Sequence, residues 1–362
     1  MTEHRIGLDV RMLQNSGIGT YLRGLLSGLN TLGLDKNIAL FGGGQAPFSA
    51  PIYSVQEQWQ YPGLLRQCQL WHAPHYNVPL LKGKTRLVVT IHDIIHWLFR
   101  KQFLSPLQTA YAGFMLKRAV TSAEQIIAVS QHTKNDLVEH FQAPAQKITV
   151  IHEGVEESCR EIPPSELGPA FEVLRKKYGV PQDFFLYVGL MKPHKNVLML
   201  TRIFRGLKET GQVRASLVLI GRKDKRYPPG YQDLASLNST GGIFYLPTIE
   251  AQELKIFYNQ ALALVHPSLY EGFGLTLLEA MQSGTPVLTT NSSSIPEVVG
   301  DAALRFDATD EKALRDALVR LDQDVPLRES LRLKGLERVK LFSWKEMARK
   351  TAEVYEKALS QK

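Results

Sequence analysis

Near-continuous apolar runs alternate with segments of helical periodicity along most of this chain. In the first half, LVVTI lies within residues 85–93, IIAV within 124–130 and ITVI within 148–155. Between the strand RIGLDVRM (5–12) and the next runs, leucines recur at helical spacing. Strands that are apolar on both faces are typical of parallel sheets covered by helices on both sides. The pattern therefore predicts an α/β chain.

The same alternation starts again in the second half, from FFLYVGL (184–190) onward. The proline-rich segment CREIPPSELGPA (159–170) separates two similar halves, and we interpret it as a linker and hinge. We predict two Rossmann-like, doubly wound domains that face one another across a cleft, with a final helix that returns to the first domain. Their predicted bounds are 1–165, 171–343 and 344–362.

The bulk composition agrees with two ordinary globular domains. The chain has 362 residues, of which 44% are hydrophobic, enough to fill two cores. Its net charge of +8 is spread along the chain without a block of like charges, which argues against a nucleic-acid partner. General basicity instead suits anionic ligands or an acidic membrane surface.

The location of the protein is predicted from its cysteines and its N-terminus. Two cysteines, Cys68 and Cys159, lie far apart without a metal-ligand pattern, as expected in a reducing compartment. The start, MTEHRIGLDV, lacks the features of a secretory signal, and no apolar run is long enough to span a membrane. We expect a cytoplasmic protein that is able to contact the inner face of the membrane peripherally.

The stretch LYEGFGLTLLEAMQSGTP (269–286) carries the strongest chemical signal. It predicts a helix over about 275–283 whose N-terminus favours an anion, preceded by glycines that allow a close ligand approach. Glu271 and Glu279 flank this anion site, so they suit hydroxyl groups on either side of it. A nucleoside-diphosphate sugar has this arrangement, with an anionic diphosphate between a hexose and a ribose. Alternatively, Glu279 is a helix-surface acid and Glu271 only complements the helix dipole.

EGFGLTLLE resembles the acid–x7–acid signature of retaining glycosyltransferases with the GT-B fold, specifically glycosyltransferase family 4. The similarity covers nearly the whole chain, in the family's order. The other motifs that carry it are RIGLDVRMLQNSGIGTY, TIHD, IIAVSQHTKNDL, VIHEGV, YVGLMKPHKN, HPSLYEGFGLTLLEAM, GTPVLTTNSSSIPEVVGDAAL and FSWKEMA. The opening motif looks most like bacterial polysaccharide mannosyl-, glucosyl- or rhamnosyltransferases.

The resemblance implies a set of donor contacts. Glu279 is similar to the family's ribose carboxylate, Glu271 to the acid beside the donor sugar, and Lys195 to the lysine on the diphosphate. The remaining implied donor contacts are Phe273, Gly274, Leu275, Thr276, Gly17 and Gly19. Many members have an arginine where Leu190 stands, and we hypothesise that Lys192, His194 or Arg222 replaces that charge.

The resemblance places the acceptor on the first domain. His92, at the end of a predicted parallel strand, is expected beside the donor sugar, where ligands of α/β sheets bind. Asp93 would orient His92 or contact the acceptor, and Ser130 and His132 would line the acceptor side. The alternatives are a packed core histidine at His92 and a helix N-cap at Ser130.

The implied reaction is transfer of a hexose from a UDP-glucose-like or GDP-mannose-like donor to a glycan or lipid-linked glycan, with retained configuration. We expect no cofactor and no metal, because the Asp322-Gln323-Asp324 triplet does not follow a strand and is interpreted as solvated. Two alternatives remain, a nucleotide-sugar epimerase of the same fold and an idle nucleotide-sugar-binding protein. The segment 99–120 predicts either a membrane-contacting basic helix or a domain-surface helix with its apolar face inward.

Overall fold

The computed structural model describes residues 4–43, 48–223 and 240–361, and these residues form two compact units. The first unit comprises residues 1–154 and 342–362, and the second comprises residues 155–341. Each unit is built around a parallel sheet, and the predicted α/β class is confirmed.

The described residues contain twelve strands. In chain order the strands are β1 (His4–Asp9), β2 (Ile38–Phe41), β3 (Cys68–Ala73), β4 (Arg86–Ile91), β5 (Gln125–Ala128), β6 (Ile148–Val150), β7 (Phe184–Val188), β8 (Ser216–Ile220), β9 (Ile243–Leu246), β10 (Ala263–His266), β11 (Val287–Thr290) and β12 (Leu304–Phe306).

Fourteen α-helices connect and cover the strands of the described ranges. In chain order the helices are α1 (Ile18–Thr31), α2 (Val55–Leu65), α3 (Ile95–Leu98), α4 (Arg100–Phe103), α5 (Pro106–Ser122), α6 (Gln131–Phe141), α7 (Pro164–Tyr178), α8 (Val197–Glu209), α9 (Ala251–Gln260), α10 (Leu275–Gln282), α11 (Ile295–Val299), α12 (Glu311–Gln323), α13 (Val325–Val339) and α14 (Trp344–Ser360). None of these helices combines the length and apolar composition needed to cross a bilayer.

The first sheet has the order β2-β1-β3-β4-β5-β6, with every pairing parallel. Both of its faces are buried. Along β4, Leu87 and Val89 belong to one hydrophobic core and Val88 to the other. This double burial explains why β4 is apolar at successive positions rather than at alternate ones.

Helix α14 packs in the first unit, against α1, although it lies at the other end of the chain. Glycines on α1 make the approach close. A Cβ on Gly24 would lie 2.2 Å from the Trp344 ring, and one on Gly28 would lie 2.5 Å from the Trp344 carbonyl oxygen. The return of the final helix to the first unit therefore depends on the absence of side chains at two positions of α1.

The second sheet has the order β9-β8-β7-β10-β11-β12, also with parallel pairing. Counted from β7, this is the order 3-2-1-4-5-6 of dinucleotide-binding folds. The chain moves outward from β7 to β9 and then returns to the other side of β7 with β10. The loops after β7 and β10 therefore start next to each other at the carboxyl edge of the sheet and lead toward its opposite ends. Such folds bind ligands at this place.

The predicted linker at 159–170 was wrong in its second half, because α7 begins at Pro164. Proline is well tolerated at the first position of a helix, so its presence did not mark a loop. Residues 155–165 group with the second unit rather than the first. Their backbone is bonded there: Ser283 Oγ donates to the carbonyl of Cys159 at 3.0 Å, and Asn259 Oδ1 accepts from Ile162 N at 2.7 Å.

Candidate active site

The loops after β7 and β10 are joined by a backbone hydrogen bond at the carboxyl edge of the second sheet. Leu269 N donates to the carbonyl of His194 at 2.7 Å. The loop after β7 closes at Asn196, whose φ of +57° lies in the left-handed region that asparagine tolerates. Two segments that lie far apart along the chain are thereby held side by side.

Lys195 and Glu271 meet across these two loops. Lys195 Nζ donates to both carboxylate oxygens of Glu271, at 2.5 and 2.7 Å. His266, at the end of β10, donates from Nε2 to the same carboxylate at 2.7 Å and is 1% exposed. The side chains of Lys195 and Glu271 are 19% and 11% exposed, so the pair is largely shielded from water.

The surroundings of Glu271 keep it ionised. Burial opposes ionisation, but the neighbouring Lys195 and His266 outweigh it and hold the pKa of the Glu271 carboxyl well below its usual range. The result is a carboxylate in the turn before α10 that is paired with an ammonium group from the loop after β7.

The turn before α10 is held by two serines from the segment after β11. Ser293 Oγ accepts from Glu271 N at 2.7 Å, and Ser294 Oγ donates to the carbonyls of Glu271 and Phe273 at 2.9 and 3.1 Å. Gly274 caps the helix with a φ of +110°, a conformation that favours glycine. The helix begins at Leu275, as predicted, with its amino end at this turn.

Two further predicted donor contacts lie on α10. Thr276 Oγ1 is 3.5 Å from Nδ1 of His266, so it faces the Glu271 cluster. Glu279, one turn further on, accepts a hydrogen bond of 2.8 Å from the buried hydroxyl of Tyr258. Burial raises the pKa of Glu279 above its ordinary value, although the Tyr258 hydrogen bond lowers it. The two acids therefore have different partners and opposite pKa shifts.

Leu190, which stands where the family's arginine is missing, and Arg222, one candidate to replace it, follow the neighbouring strands β7 and β8. Leu190 is 38% exposed at the end of β7. Arg222 is exposed after β8, where its carbonyl accepts from Met191 N at 3.0 Å and its Nε lies 3.4 Å from Thr248 Oγ1. Within the described ranges, these contacts join Arg222 to Met191 and Thr248 and not to the Lys195–Glu271 pair.

In the first unit, His92 lies between two acceptors after β4. Its Nδ1 is 3.0 Å from the buried carboxylate of Glu153, and its Nε2 is 3.2 Å from the carbonyl of Pro74. The ring of Tyr21 packs edge-on against it, with centroids 4.8 Å apart. The ring of His92 is therefore placed between a carboxylate from β6's following loop and a backbone carbonyl from the loop after β3.

A buried polar network lies beneath His92. His72 contacts Tyr355 Oη at 2.7 Å and Thr90 Oγ1 at 2.8 Å, and Thr90 Oγ1 in turn contacts Tyr21 Oη at 2.9 Å. Burial, aided by the nearby charge of His92, lowers the pKa of His72 to about 3, so His72 is neutral at physiological pH. Tyr355 of α14 thus takes part in positioning the residues around His92.

The predicted acceptor residues mainly have local structural contacts. Asp93 Oδ1 accepts from Ile95 N at 2.9 Å. Ser130 is fully buried and caps α6 by accepting from Thr133 N at 3.0 Å, which is the alternative considered from the sequence. His132 Nε2 lies 3.5 Å from the carboxylate of Asp136, one turn further along α6.

The first glycine loop also has a structural basis. Gly17 is the N-cap of α1 with a φ of +72°, and a Cβ on Gly19 would lie 2.6 Å from the carbonyl oxygen of Leu13. Both glycines are therefore required by the backbone, whatever further contact they make.

The Asp322-Gln323-Asp324 triplet is not simply solvated, contrary to expectation. The Asp322 carboxylate accepts from the backbone amides of Arg214 and Ala215 at 2.9 and 3.0 Å. Asp324 Oδ1 caps α13 by accepting from Leu327 N at 2.8 Å. Both acids thus hold backbone groups. No cluster of three metal-ligating side chains occurs in the part of the chain that the structure describes.

Several residues of these clusters were not singled out from the sequence. His266 stands in the quoted motif HPSLYEGFG and Ser293 in NSSSIPE, so position within those motifs was an available signal. Glu153 likewise stands in the quoted motif VIHEGV, whereas Tyr258 carried no local signal. Each acts through a partner that is distant along the chain, at His92 and Glu279.

Comparison with known proteins identifies the family. Residues 171–338 match the family described as "Glycosyl transferases group 1", and residues 16–158 match "Glycosyltransferase Family 4". The O-antigen chain mannosyltransferase B of Escherichia coli is 32% identical over 287 residues, 79% of this chain and 74% of that protein. The O-antigen chain mannosyltransferase RfbU of Salmonella typhimurium is 30% identical over 250 residues, 69% of this chain and 64% of that protein.

Solved structures show the same fold at low identity. Sucrose-phosphate synthase from Thermosynechococcus elongatus is similar with a TM-score of 0.75, 18% identity and 98% coverage of both chains. HepE from Anabaena, in complex with UDP and glucose, has a TM-score of 0.74 and 16% identity, with 98% of this chain and 100% of that chain covered. The family matches and these folds lead to one conclusion: this chain belongs to glycosyltransferase family 4 and has the GT-B fold.

Proposed function

We propose that this glycosyltransferase moves a hexose from a nucleoside-diphosphate sugar to a glycan hydroxyl in bacterial polysaccharide synthesis, with retention of configuration. Mannose is the first candidate, because two relatives of at least 30% identity are O-antigen mannosyltransferases. The observation that carries the proposal is the shielded Lys195–Glu271 pair at the amino end of α10.

The site suits the three parts of such a donor. Lys195 and the amino end of α10 provide positive charge for the diphosphate. A phosphate oxygen at Lys195 Nζ would share or replace one of its two bonds to Glu271. Glu271, held ionised, would then accept hydrogen bonds from sugar hydroxyls. Glu279 would accept from the ribose, with Tyr258 orienting its carboxylate.

The protein's part in the reaction is mainly electrostatic. As the bond from sugar to diphosphate breaks, negative charge grows on the leaving group, and Lys195 and the helix terminus stabilise it. The acceptor hydroxyl attacks from the face that the diphosphate leaves, and a leaving-group oxygen takes its proton. Glu271 positions the sugar rather than attacking it. Because a nucleoside diphosphate is a good leaving group, we propose that neither a metal nor another cofactor is needed.

We propose that the acceptor, a glycan or lipid-linked glycan, is bound by the first unit, through residues that include His92 and Asp93. A peripheral membrane contact is also proposed. Helix α5 packs one apolar face inward, as in the second of the two alternatives for this segment, but Leu107 and Phe114 are 81% and 56% exposed. With the basic residues 100 and 101 nearby, this surface suits an anionic bilayer. Co-sedimentation with anionic liposomes that fails, or that is insensitive to salt, would contradict it.

The donor proposal is tested by thermal-shift screening of nucleoside diphosphates and their sugars, followed by transfer and donor-hydrolysis assays with and without EDTA. We expect Lys195→Ala to lower turnover about 10²- to 10³-fold, as removal of one preorganised charge-stabilising group does. Lys176→Ala, on the surface of α7 with a 75% exposed side chain, is the matched control.

The outcomes separate the alternatives. Binding without hydrolysis or transfer would indicate an idle binding protein. A nucleotide sugar of changed configuration would indicate an epimerase. Loss of turnover in EDTA that Mn²⁺ restores would refute metal independence, and near-normal turnover of Lys195→Ala would remove this residue from the site.

A further inference from the structure

Four aromatic side chains form a second cluster, in the first unit. The tyrosine cluster consists of Tyr53, His75, Tyr76 and Tyr111. The ring of Tyr53 lies 5.6 Å from that of His75 and 6.3 Å from those of Tyr76 and Tyr111. Tyr53 and Tyr111 are 46% and 37% exposed, so the cluster presents aromatic surface to solvent.

The cluster lies where a ligand is expected on this sheet. In the order β2-β1-β3, the chain passes from β1 to β2 on one side and returns to β3 on the other. The carboxyl ends of β1 and β3 therefore form the switch point of the first sheet. Tyr53 lies after β2, and His75 and Tyr76 lie directly after β3. The topology places these rings beside that switch point.

A single buried carboxylate anchors the two exposed tyrosines. Glu57 is fully buried and accepts from Tyr53 N at 3.1 Å and from Arg11 Nη1 at 2.9 Å. It also accepts from Nδ2 of Asn77. Asn77 Oδ1 in turn accepts from Tyr111 Oη at 2.7 Å. Burying a carboxylate with this many partners is costly. Here the Glu57 carboxylate holds the backbone amide of Tyr53 directly and the hydroxyl of Tyr111 through Asn77.

The hydrogen bonds also determine which ring nitrogen of His75 carries the proton, and they hold the backbone of Tyr53 in an unusual conformation. His75 Nδ1 accepts from Asn77 N at 3.3 Å, so in the neutral ring the proton is on Nε2, which donates to Tyr53 Oη at 3.2 Å. Burial lowers the pKa of His75 to about 3, so the ring is uncharged. Tyr53 has a φ of +67°, which side-chain-bearing residues rarely adopt and which often marks a functional site.

We propose that the tyrosine cluster is a subsite for a neutral pyranose ring of the acceptor, with the apolar face of the sugar stacked on Tyr53 and its hydroxyls bonded to the cluster. The rings of the cluster are uncharged, which suits a neutral sugar. A phosphate would need an available cation, but Arg11 has a side chain that is only 7% exposed and is already paired with Asp9 and Glu57. Burial raises the pKa of the Tyr53 hydroxyl, and the negative charge of Asp93 adds to this effect. The assignment of this sugar as the acceptor rests on the proposed function.

The test is saturation-transfer difference NMR of the full chain with methyl α-D-mannopyranoside and its gluco, galacto and rhamno counterparts at millimolar concentration. We expect transfer to the ring C–H protons of at least one pyranoside. Affinity should fall about tenfold in Tyr53→Leu, in line with the contribution of one aromatic contact, and should be largely kept in Tyr53→Phe. Trp59→Leu, an 81% exposed aromatic on α2 outside the cluster, is the matched control.

Three results would overturn the subsite: no binding of any pyranoside to the wild-type chain, undiminished binding to Tyr53→Leu, or equal loss in Trp59→Leu. Nucleoside-diphosphate binding and donor hydrolysis, measured on the same variants, test the proposed function separately. Sugar binding that depends on Tyr53, without any donor binding, would refute the proposed function and leave a sugar site. Donor hydrolysis without pyranoside binding would refute the subsite alone.

Discussion

The Lys195–Glu271 pair predicts a pattern of stability changes that does not depend on its proposed function. Lys195→Met leaves a carboxylate whose side chain is 11% exposed and whose remaining side-chain partner here is His266. Removing one partner of a buried pair costs about 3–5 kcal/mol, and we expect about 3 because the pair is not fully buried. For a unit of this size, that corresponds to a fall in Tm of about 6–12 °C.

A double variant tests whether the loss of the ion pair is the cause of the lower stability of Lys195→Met. Glu271→Gln alone should cost about 1 kcal/mol, since Lys195 can extend into water. Lys195→Met/Glu271→Gln should cost about 2 kcal/mol, less than Lys195→Met alone, because no unpaired charge remains. The expected coupling is therefore about 2 kcal/mol. A double variant as unstable as the sum of the single ones would refute the reasoning.

The assay can separate the two units. The tryptophans at positions 59, 71, 97 and 344 are the four in the chain, and all lie in the first unit. Tryptophan fluorescence therefore follows the first unit, and far-UV circular dichroism follows both. We expect the circular-dichroism melt of Lys195→Met to shift more than its fluorescence melt. A shift confined to the fluorescence melt would show that the substitution destabilises the first unit instead of the second.

The pH dependence has a definite sign. Because the pKa of Glu271 is lowered on folding, its contribution is fully present above the ordinary carboxylate range and is lost as pH falls through the lowered pKa. Glu271→Gln should therefore lose less stability in acid than the wild type does. Equal acid sensitivity of the two proteins would contradict the assigned ionisation.

Three further predictions concern packing and buried polar groups. Gly28→Leu should cost about 1–3 kcal/mol in the fluorescence melt, because a side chain there meets Trp344; an unchanged melt would contradict this packing. His72, with a pKa lowered from 6.5 to about 3, destabilises the fold as pH falls below 6.5, by about 3 kcal/mol at pH 4.5. His72→Asn should lose this part of the pH dependence in urea titrations, and an unaltered slope would refute it. Tyr258→Phe should cost about 1 kcal/mol by circular dichroism, since Glu279 loses its donor.

Local patterns predicted much of the fold. The helix at about 275–283 was found at Leu275–Gln282, because the glycine turn before it and Gly284 after it act within a few residues. The predicted final helix was found at Trp344–Ser360. Strands β2, β3 and β12 were not predicted, being short or, like β3, interrupted by polar residues such as His72. That histidine is buried only because Tyr355 and Thr90 satisfy it.

The candidate site was predicted as residues but not as contacts. Lys195 and Glu271 were named separately, and their ion pair was not foreseen. For Ser130 the sequence leaves an acceptor contact and a helix N-cap open, and the structure shows that it caps α6. A helix cap and a ligand contact use the same hydroxyl chemistry, so the sequence pattern cannot distinguish them.

The sequence by itself determined the alternation of strand and helix, the family and the helix start at residue 275, because each depends on neighbours a few positions apart. Only the tertiary structure decided that Lys195 meets a carboxylate 76 residues away. It alone joined Tyr53 to Tyr111 through Glu57 and Asn77. Such contacts depend on which strands become neighbours at the carboxyl edge of a sheet, and periodicity along one chain does not specify that order.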